Sequence, residues 1–230
     1  MTAITEKLTV LRERIDAAAR AANRQAASVT VVAVSKSQPV DAIRAAHQTG
    51  LADFGENYVQ EAVPKITQFN EATTWHFIGA IQANKTRLIA GHFQWAQTVA
   101  SAEVATRLSR QRPFHAADLQ VCLQIRPEPA SGRGGLAAAD APLLAAQIEE
   151  MPRLKLRGLM FMPRPRLSAG ELRAEFCRVR QLFDELRAAG HPLDTLSMGM
   201  SEDLELAIAE GSTMVRVGTA LFGARDAGSA

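Results

Sequence analysis

Val29-Thr30-Val31-Val32-Ala33-Val34-Ser35-Lys36, the link Ser37-Gln38-Pro39, and then Val40-Asp41-Ala42-Ile43-Arg44-Ala45-Ala46-His47-Gln48 decide the fold. The first run is β-branched, almost wholly apolar and short, as a strand buried on both faces is. The second carries a helical pattern and is closed by Gly50, placed as a C-cap glycine. A buried strand followed at once by a helix is one unit of a parallel sheet.

The unit recurs along the chain. The strands expected are Thr30–Ser35, Asp53–Gly55, Trp75–Ile78, Trp95–Val99, Leu119–Ile125, Lys155–Met162, Thr195–Met198 and Met214–Gly218. Helical patterns cover Val40–Gln48, Tyr58–Phe69, Lys85–Ala90, Ala102–Gln111, Ala141–Glu150, Gly170–Ala189 and Glu202–Ala209. Every strand but the last is thus followed by a helix. Ahead of them, Ile4, Leu8, Leu11, Ile15, Ala18 and Ala19 form one more helical stripe. The expected fold is α/β: a single (β/α)8 TIM barrel with an extra N-terminal helix. One domain would span 1–230, with the helix in 1–26 and the barrel in 29–225. About 250 residues is usual for this fold, close to the 230 here. A doubly wound open sheet is the alternative, but no strand is followed by a G-x-G-x-x-G turn. Arg126–Gly135 and Pro163–Gly170 are expected to be loops.

Composition narrows the function classes. Net charge is +2, weak support for a nucleic-acid partner, and none is expected. No apolar run approaches the roughly 18 residues of a membrane span. Residues 1–23 are charged throughout, unlike a signal peptide, so a cytoplasmic protein is expected. Cys122 and Cys177 sit in apolar contexts without a C-x-x-C, and no disulfide is expected. His47, His92, His115 and His191 show no metal spacing, so no metal site is expected.

A barrel binds ligands at the C-terminal ends of its strands. Lys36 ends strand one, Asn57 follows strand two, Ser197 to Ser201 end strand seven, and Gly218-Thr219 end strand eight. Closure makes strands one and eight neighbours. Alternation sends Val32, Val34 and Lys36 to one side, so the amine stands over the barrel mouth. Ser201 precedes a helix, as an N-cap does; the same geometry offers free N–H groups to a phosphate. Gly218 lets the backbone approach a ligand closely, and Thr219 adds a hydroxyl. Arg216 shares parity with Met214 and Gly218 and points inward, which requires a partner. An inward carboxylate is one candidate, and a pyridine nitrogen is another. His76 either lines the pocket or is a hydrogen-bonded core histidine. A strand-end amine with a phosphate cup beside it suits a phosphorylated aldehyde cofactor, pyridoxal 5'-phosphate, held as a Schiff base on the lysine.

These segments also resemble a known family. They are Ala33-Val34-Ser35-Lys36, Phe54-Gly55-Glu56-Asn57-Tyr58-Val59-Gln60-Glu61, Trp75-His76-Phe77-Ile78-Gly79, Gln82-Ala83-Asn84-Lys85, Arg157-Gly158-Leu159-Met160, Leu196-Ser197-Met198-Gly199-Met200-Ser201 and Gly211 to Thr219. Over roughly residues 4 to 225 the chain resembles the pyridoxal phosphate homeostasis proteins, relatives of the alanine racemase N-terminal barrel. The resemblance implies that Lys36 is the Schiff-base lysine and that Ser201, Gly218 and Thr219 hold the phosphate. It also implies that Arg216 faces the pyridine nitrogen and Asn57 lies near the ring. His76, Ser197 and Met200 complete the cofactor-binding set expected here. Members balance vitamin B6 pools without robust catalysis, and PLP-dependent apoenzymes would be the recipients of a hand-over. Many relatives carry a lysine in the loop after strand five, where this chain has Arg133; an arginine cannot replace it by imine chemistry.

Two function classes follow: a cofactor-binding homeostasis protein, expected as a monomer, and a racemase-like enzyme on the same barrel. The second needs an acid–base group on each face of the cofactor. The sequence stops soon after strand eight, and Tyr58 is the only tyrosine. An arginine opposite the pyridine nitrogen also weakens the ring as an electron sink. Binding is therefore the expected role.

Overall fold

The computed structural model describes residues 3–69, 71–128 and 134–223. Eight parallel strands close into a barrel in sequence order. They are β1 (Thr30–Val34), β2 (Asp53–Glu56), β3 (Thr74–Phe77), β4 (Trp95–Val99), β5 (Leu119–Ile125), β6 (Leu154–Phe161), β7 (Thr195–Ser197) and β8 (Met214–Val217). Closure is made by β1 against β8, with Val32 opposite Arg216 and Ala33 opposite Val217. All eight expected strands are present, within one residue at most ends.

Around them run α1 (Ala3–Ala21), α2 (Val40–His47), α3 (Val59–Gln68), α4 (Thr86–His92), α5 (Ala102–Gln111), α6 (Ala141–Glu149), α7 (Ala169–Ala188), α8 (Leu204–Ala209) and α9 (Thr219–Phe222). Helix boundaries other than those of α5 shift from the expectation, mostly by one or two residues, and three differences have local reasons. Helix α1 ends at Ala21 because Asn23 takes a left-handed φ of 55°, a helix-terminating conformation that asparagine tolerates. Helix α7 starts one residue early on a capping box between Ser168 and Glu171. The last strand, expected to end the pattern, is followed by the short helix α9.

Two apolar regions follow from strand alternation. Ala33, Val215 and Val217 face outward into the main core, shared with the helices. Val32, Trp95, Cys122, Met160 and Met214 face inward and fill the barrel. Helix α1 lays its buried stripe Leu8, Leu11, Ile15, Ala18 and Ala19 beside α8 and α9, covering the closure between the first and last strands. It brings Arg14 to the strand ends as well. No helix among the described residues is long and apolar enough to cross a membrane.

Candidate functional site

The strand ends of β1, β7 and β8 enclose a cleft of about 300 Å³ lined by Val34, Lys36, Met200, Ser201, Glu202, Asp203, Arg216, Gly218 and Thr219. Six of these, Lys36, Met200, Ser201, Arg216, Gly218 and Thr219, are residues expected from the sequence. The parity reading of β1 and β8 is correct. Val32 and Met214 lie in the barrel interior, and one strand-step further out Val34 and Arg216 both line the cleft.

Arg216 is 4% exposed. Its Nη1 donates to the Ser197 carbonyl at 2.8 Å and to the Ser197 hydroxyl at 2.7 Å. Its Nη2 donates to the Phe161 carbonyl at 2.8 Å. Backbone oxygens at the ends of β6 and β7 therefore accept two of these three bonds. Asp203 stands close enough for Arg216 to oppose the main effect on its carboxyl, which is burial raising its pKa. The Asp203 Oδ1 also accepts from the Met200 N–H at 2.5 Å, closing the loop between β7 and α8.

Ser201 is not the cap of α8. That helix begins at Leu204, with Asp203 at the N-cap position. The Ser201 hydroxyl instead accepts from the backbone N–H of Ala220, at 3.3 Å, in the first turn of α9. It joins the loop after β7 to the turn after β8, the two walls of the cleft. Arg14, from α1, donates to the Ser201 carbonyl at 2.9 Å and pairs with Glu205 at 2.6 Å. Nothing in the spacing of the first helix announces that role. Gly199, one loop residue earlier, has φ +97° and lies against Ala207, so a side chain there meets both strain and contact. Gly218 differs: its φ is −113°, and an added Cβ stands 3.4 Å from the Val34 Cβ. It keeps room in the cleft rather than relieving the backbone.

Three expected residues lie outside the cleft lining. Ser197 is fully buried beneath it as the partner of Arg216. Asn57 is pressed from behind: the Cα of Gly79 approaches so closely that a Cβ there would stand 2.0 Å from the Asn57 carbonyl. Asn57 Oδ1 is buried with no hydrogen-bond partner among the described residues. His76 is the correction. It does not line the cleft but sits fully buried inside the barrel, stacked on Trp95 with ring centroids 5.2 Å apart. Its Nε2 meets Asp53 at 2.8 Å and its Nδ1 meets the Gln97 amide at 2.9 Å. Burial lowers its pKa, with Asp53 working against that shift. Arg133 lies outside the described residues.

The cleft thus presents an amine, a buried guanidinium and two hydroxyls at one end of the barrel. An anionic, ring-bearing aldehyde matches that donor set. The family comparison agrees. The profile of the family described as alanine racemase, N-terminal domain, matches residues 7–226. A pyridoxal phosphate homeostasis protein from Pseudomonas aeruginosa is 49% identical over 230 residues, covering 100% of this chain and 99% of that protein. The chain belongs to the pyridoxal phosphate homeostasis protein family. The family member from Escherichia coli strain K12 is 46% identical over 233 residues, 98% of either chain. Among solved structures the chain is similar to PipY of Synechococcus elongatus with PLP bound. The TM-score is 0.83 at 37% identity, covering 96% of this chain and 100% of that one.

Proposed function

We propose that this family member holds pyridoxal 5'-phosphate in the cleft and serves intracellular vitamin B6 homeostasis. The observation that carries the reading is the convergence of Lys36, Ser201, Arg216, Gly218 and Thr219 on one cleft. In this reading Lys36 Nζ is the covalent anchor. Ser201 and Thr219, with the backbone around Gly218, would receive the phosphate. Arg216, already oriented by Ser197 and Phe161, would face the ring nitrogen, and Asn57 would stand beside the ring. When bound, the cofactor supplies an aldehyde that condenses with an amine. The PLP-bound PipY structure supports the choice of ligand.

Holding the cofactor, rather than turning over substrate, is the role we favour. An arginine presented to the ring nitrogen keeps that nitrogen unprotonated and blunts its use as an electron sink. His76, a candidate second base, has both ring nitrogens engaged inside the barrel. Tyr58 stands 59% exposed at the start of α3. A monomer in the cytoplasm, passing its cofactor to PLP-dependent apoenzymes, completes the proposal.

The test is the absorbance spectrum of the purified chain loaded with pyridoxal 5'-phosphate. A visible band that borohydride bleaches, with peptide mapping placing the reduced adduct on Lys36, is expected. An adduct on Lys85 or Lys155 instead would sink the assignment. Racemisation of alanine at the rate of a dedicated enzyme, dependent on Lys36, would overturn the binding role.

A further inference from the structure

Lys36 is flanked by peptide groups that side chains outside the cleft grip from behind. Lys65, on α3, is only 7% exposed. Its Nζ donates to the Ser35 carbonyl at 2.9 Å, to Glu56 Oε1 at 2.9 Å and to Glu61 Oε1 at 2.5 Å. Glu56, the last residue of β2, is fully buried, and its Oε1 also accepts from the Ser35 hydroxyl at 2.7 Å. Glu61 Oε1 also accepts from the backbone N–H of Ser37 at 2.5 Å. The residue before Lys36 and the residue after it are therefore tied to one cluster. Ser37 has a left-handed φ of 62°, uncommon for a serine, and the bond to Glu61 holds it there. The Glu56 Oε2 is buried without a hydrogen-bond partner among the described residues. Such a cluster is a poor source of stability, because desolvating its charges offsets their attraction. Its position on both sides of one residue calls for another explanation.

We propose that Glu56, Glu61 and Lys65 are positioning residues for Lys36, fixing the peptide on each side of it and setting the field around its amine. The inference rests on the reading of Lys36 as the anchor. In the covalent step the unprotonated Nζ adds to the aldehyde carbon; a C=N bond forms and the aldehyde oxygen leaves as water. Only the free amine adds, so capture rises with pH through the amine's pKa. Among the described residues, Glu56, Glu61 and Lys65 hold the peptides beside Lys36 from the β2–α3 side, Glu202, Asp203 and Arg216 line the cleft with it, and Lys7 of α1 reaches Gly223, which lines a neighbouring pocket with Lys36. Removing the Lys65 cation leaves the Glu61 carboxylate uncompensated beside the Ser37 peptide and holds the amine protonated to higher pH. Removing the charge of Glu61 does the reverse.

The experiment follows the rate of band growth with pyridoxal 5'-phosphate across pH in the full chain, beside hydrogen exchange of the cofactor-free chain. Lys65→Met should slow capture at neutral pH on the order of tenfold and move the pH midpoint up. Glu61→Gln should move it down. The Ser37 amide should stay protected in Glu61→Gln, which keeps an acceptor, and lose protection in Glu61→Ala. General loosening of the fold would slow the variants without moving their midpoints in opposite directions, and that result refutes the proposal. If Lys65→Met does not fold, the two Glu61 variants decide by midpoint and exchange. A borohydride adduct on Lys36 with unmoved midpoints and unchanged Ser37 exchange defeats the positioning role alone. An adduct elsewhere in the unmodified chain defeats the anchor reading and this inference with it.

Discussion

Arg216 and Ser197 are joined twice: Nη1 of the guanidinium donates to the serine carbonyl at 2.8 Å and to its hydroxyl at 2.7 Å. The hydroxyl passes the order on, donating to Gln97 Oε1 at 2.7 Å. The Gln97 amide then donates to His76 Nδ1, and His76 Nε2 donates to Asp53. Every link has one donor and one acceptor, so the chain runs in one direction from the cleft to the start of β2. Its direction makes His76 a neutral imidazole protonated at Nε2.

That chain predicts what Ser197→Ala does. Arg216 loses one acceptor and Gln97 Oε1 loses its donor, both in the barrel interior. The variant should lose about 1–3 kcal/mol of stability, the cost of leaving buried polar groups unsatisfied. Urea unfolding measures it. Nitrogen-15 NMR of the unmodified protein should find His76 Nδ1 bare and Nε2 protonated, and Gln97→Leu should disturb that pattern.

A pH dependence follows from His76. Burial holds its folded pKa below the ordinary 6.5. Between those two values the unfolded chain binds a proton that the folded chain does not. The contribution to stability is therefore fully present above about 6.5 and is lost as pH falls toward the folded pKa. Unfolding free energy should drop as pH falls below about 6.5, by up to about 1.4 kcal/mol per pH unit for this one group. His76→Asn should remove that component of the slope; an unchanged slope would assign it to other residues.

Ser201→Ala separates a phosphate contact from a purely structural one. The loss of a hydrogen bond to a charged group should weaken pyridoxal 5'-phosphate by about 1.5–3 kcal/mol. Pyridoxal, lacking the phosphate, should bind far more weakly and hardly notice the mutation. Equal losses for the two ligands would leave Ser201 only its bond to Ala220.

Gly79→Ala should displace Asn57. The new methyl would fall 2.0 Å from the Asn57 carbonyl, a distance no packing tolerates. The β2 and β3 ends must part. Lower thermal stability together with weaker cofactor binding is expected, and calorimetry with and without the ligand tests both. Unchanged affinity in a folded variant would remove Asn57 from the cofactor's surroundings.

Much of this was legible in the sequence because it is local. Eight apolar runs separated by helical patterns specify a parallel α/β chain, and period-two alternation along β1 and β8 turns Lys36 and Arg216 to the same side. What alternation leaves open is depth. His76 and Lys36 both point inward, yet His76 belongs to the barrel interior beside Trp95 and Lys36 to the rim. Strand register and stagger set that difference, and neither is written within one strand.

By itself, then, the sequence determined the order of the elements, the inward parity of Lys36 and Arg216 and the end of the barrel where the ligand groups gather. Tertiary structure alone decided the partners. Ser201 meets Ala220 instead of capping α8, Arg14 arrives from α1, and Lys65 with Glu56 and Glu61 grips the peptides around Lys36. The reason is physical: alternation and capping act over one strand or one helical turn. Hydrogen-bond partners across a closed barrel depend on how its strands are staggered and its helices docked, and residues far apart in the chain become neighbours only then.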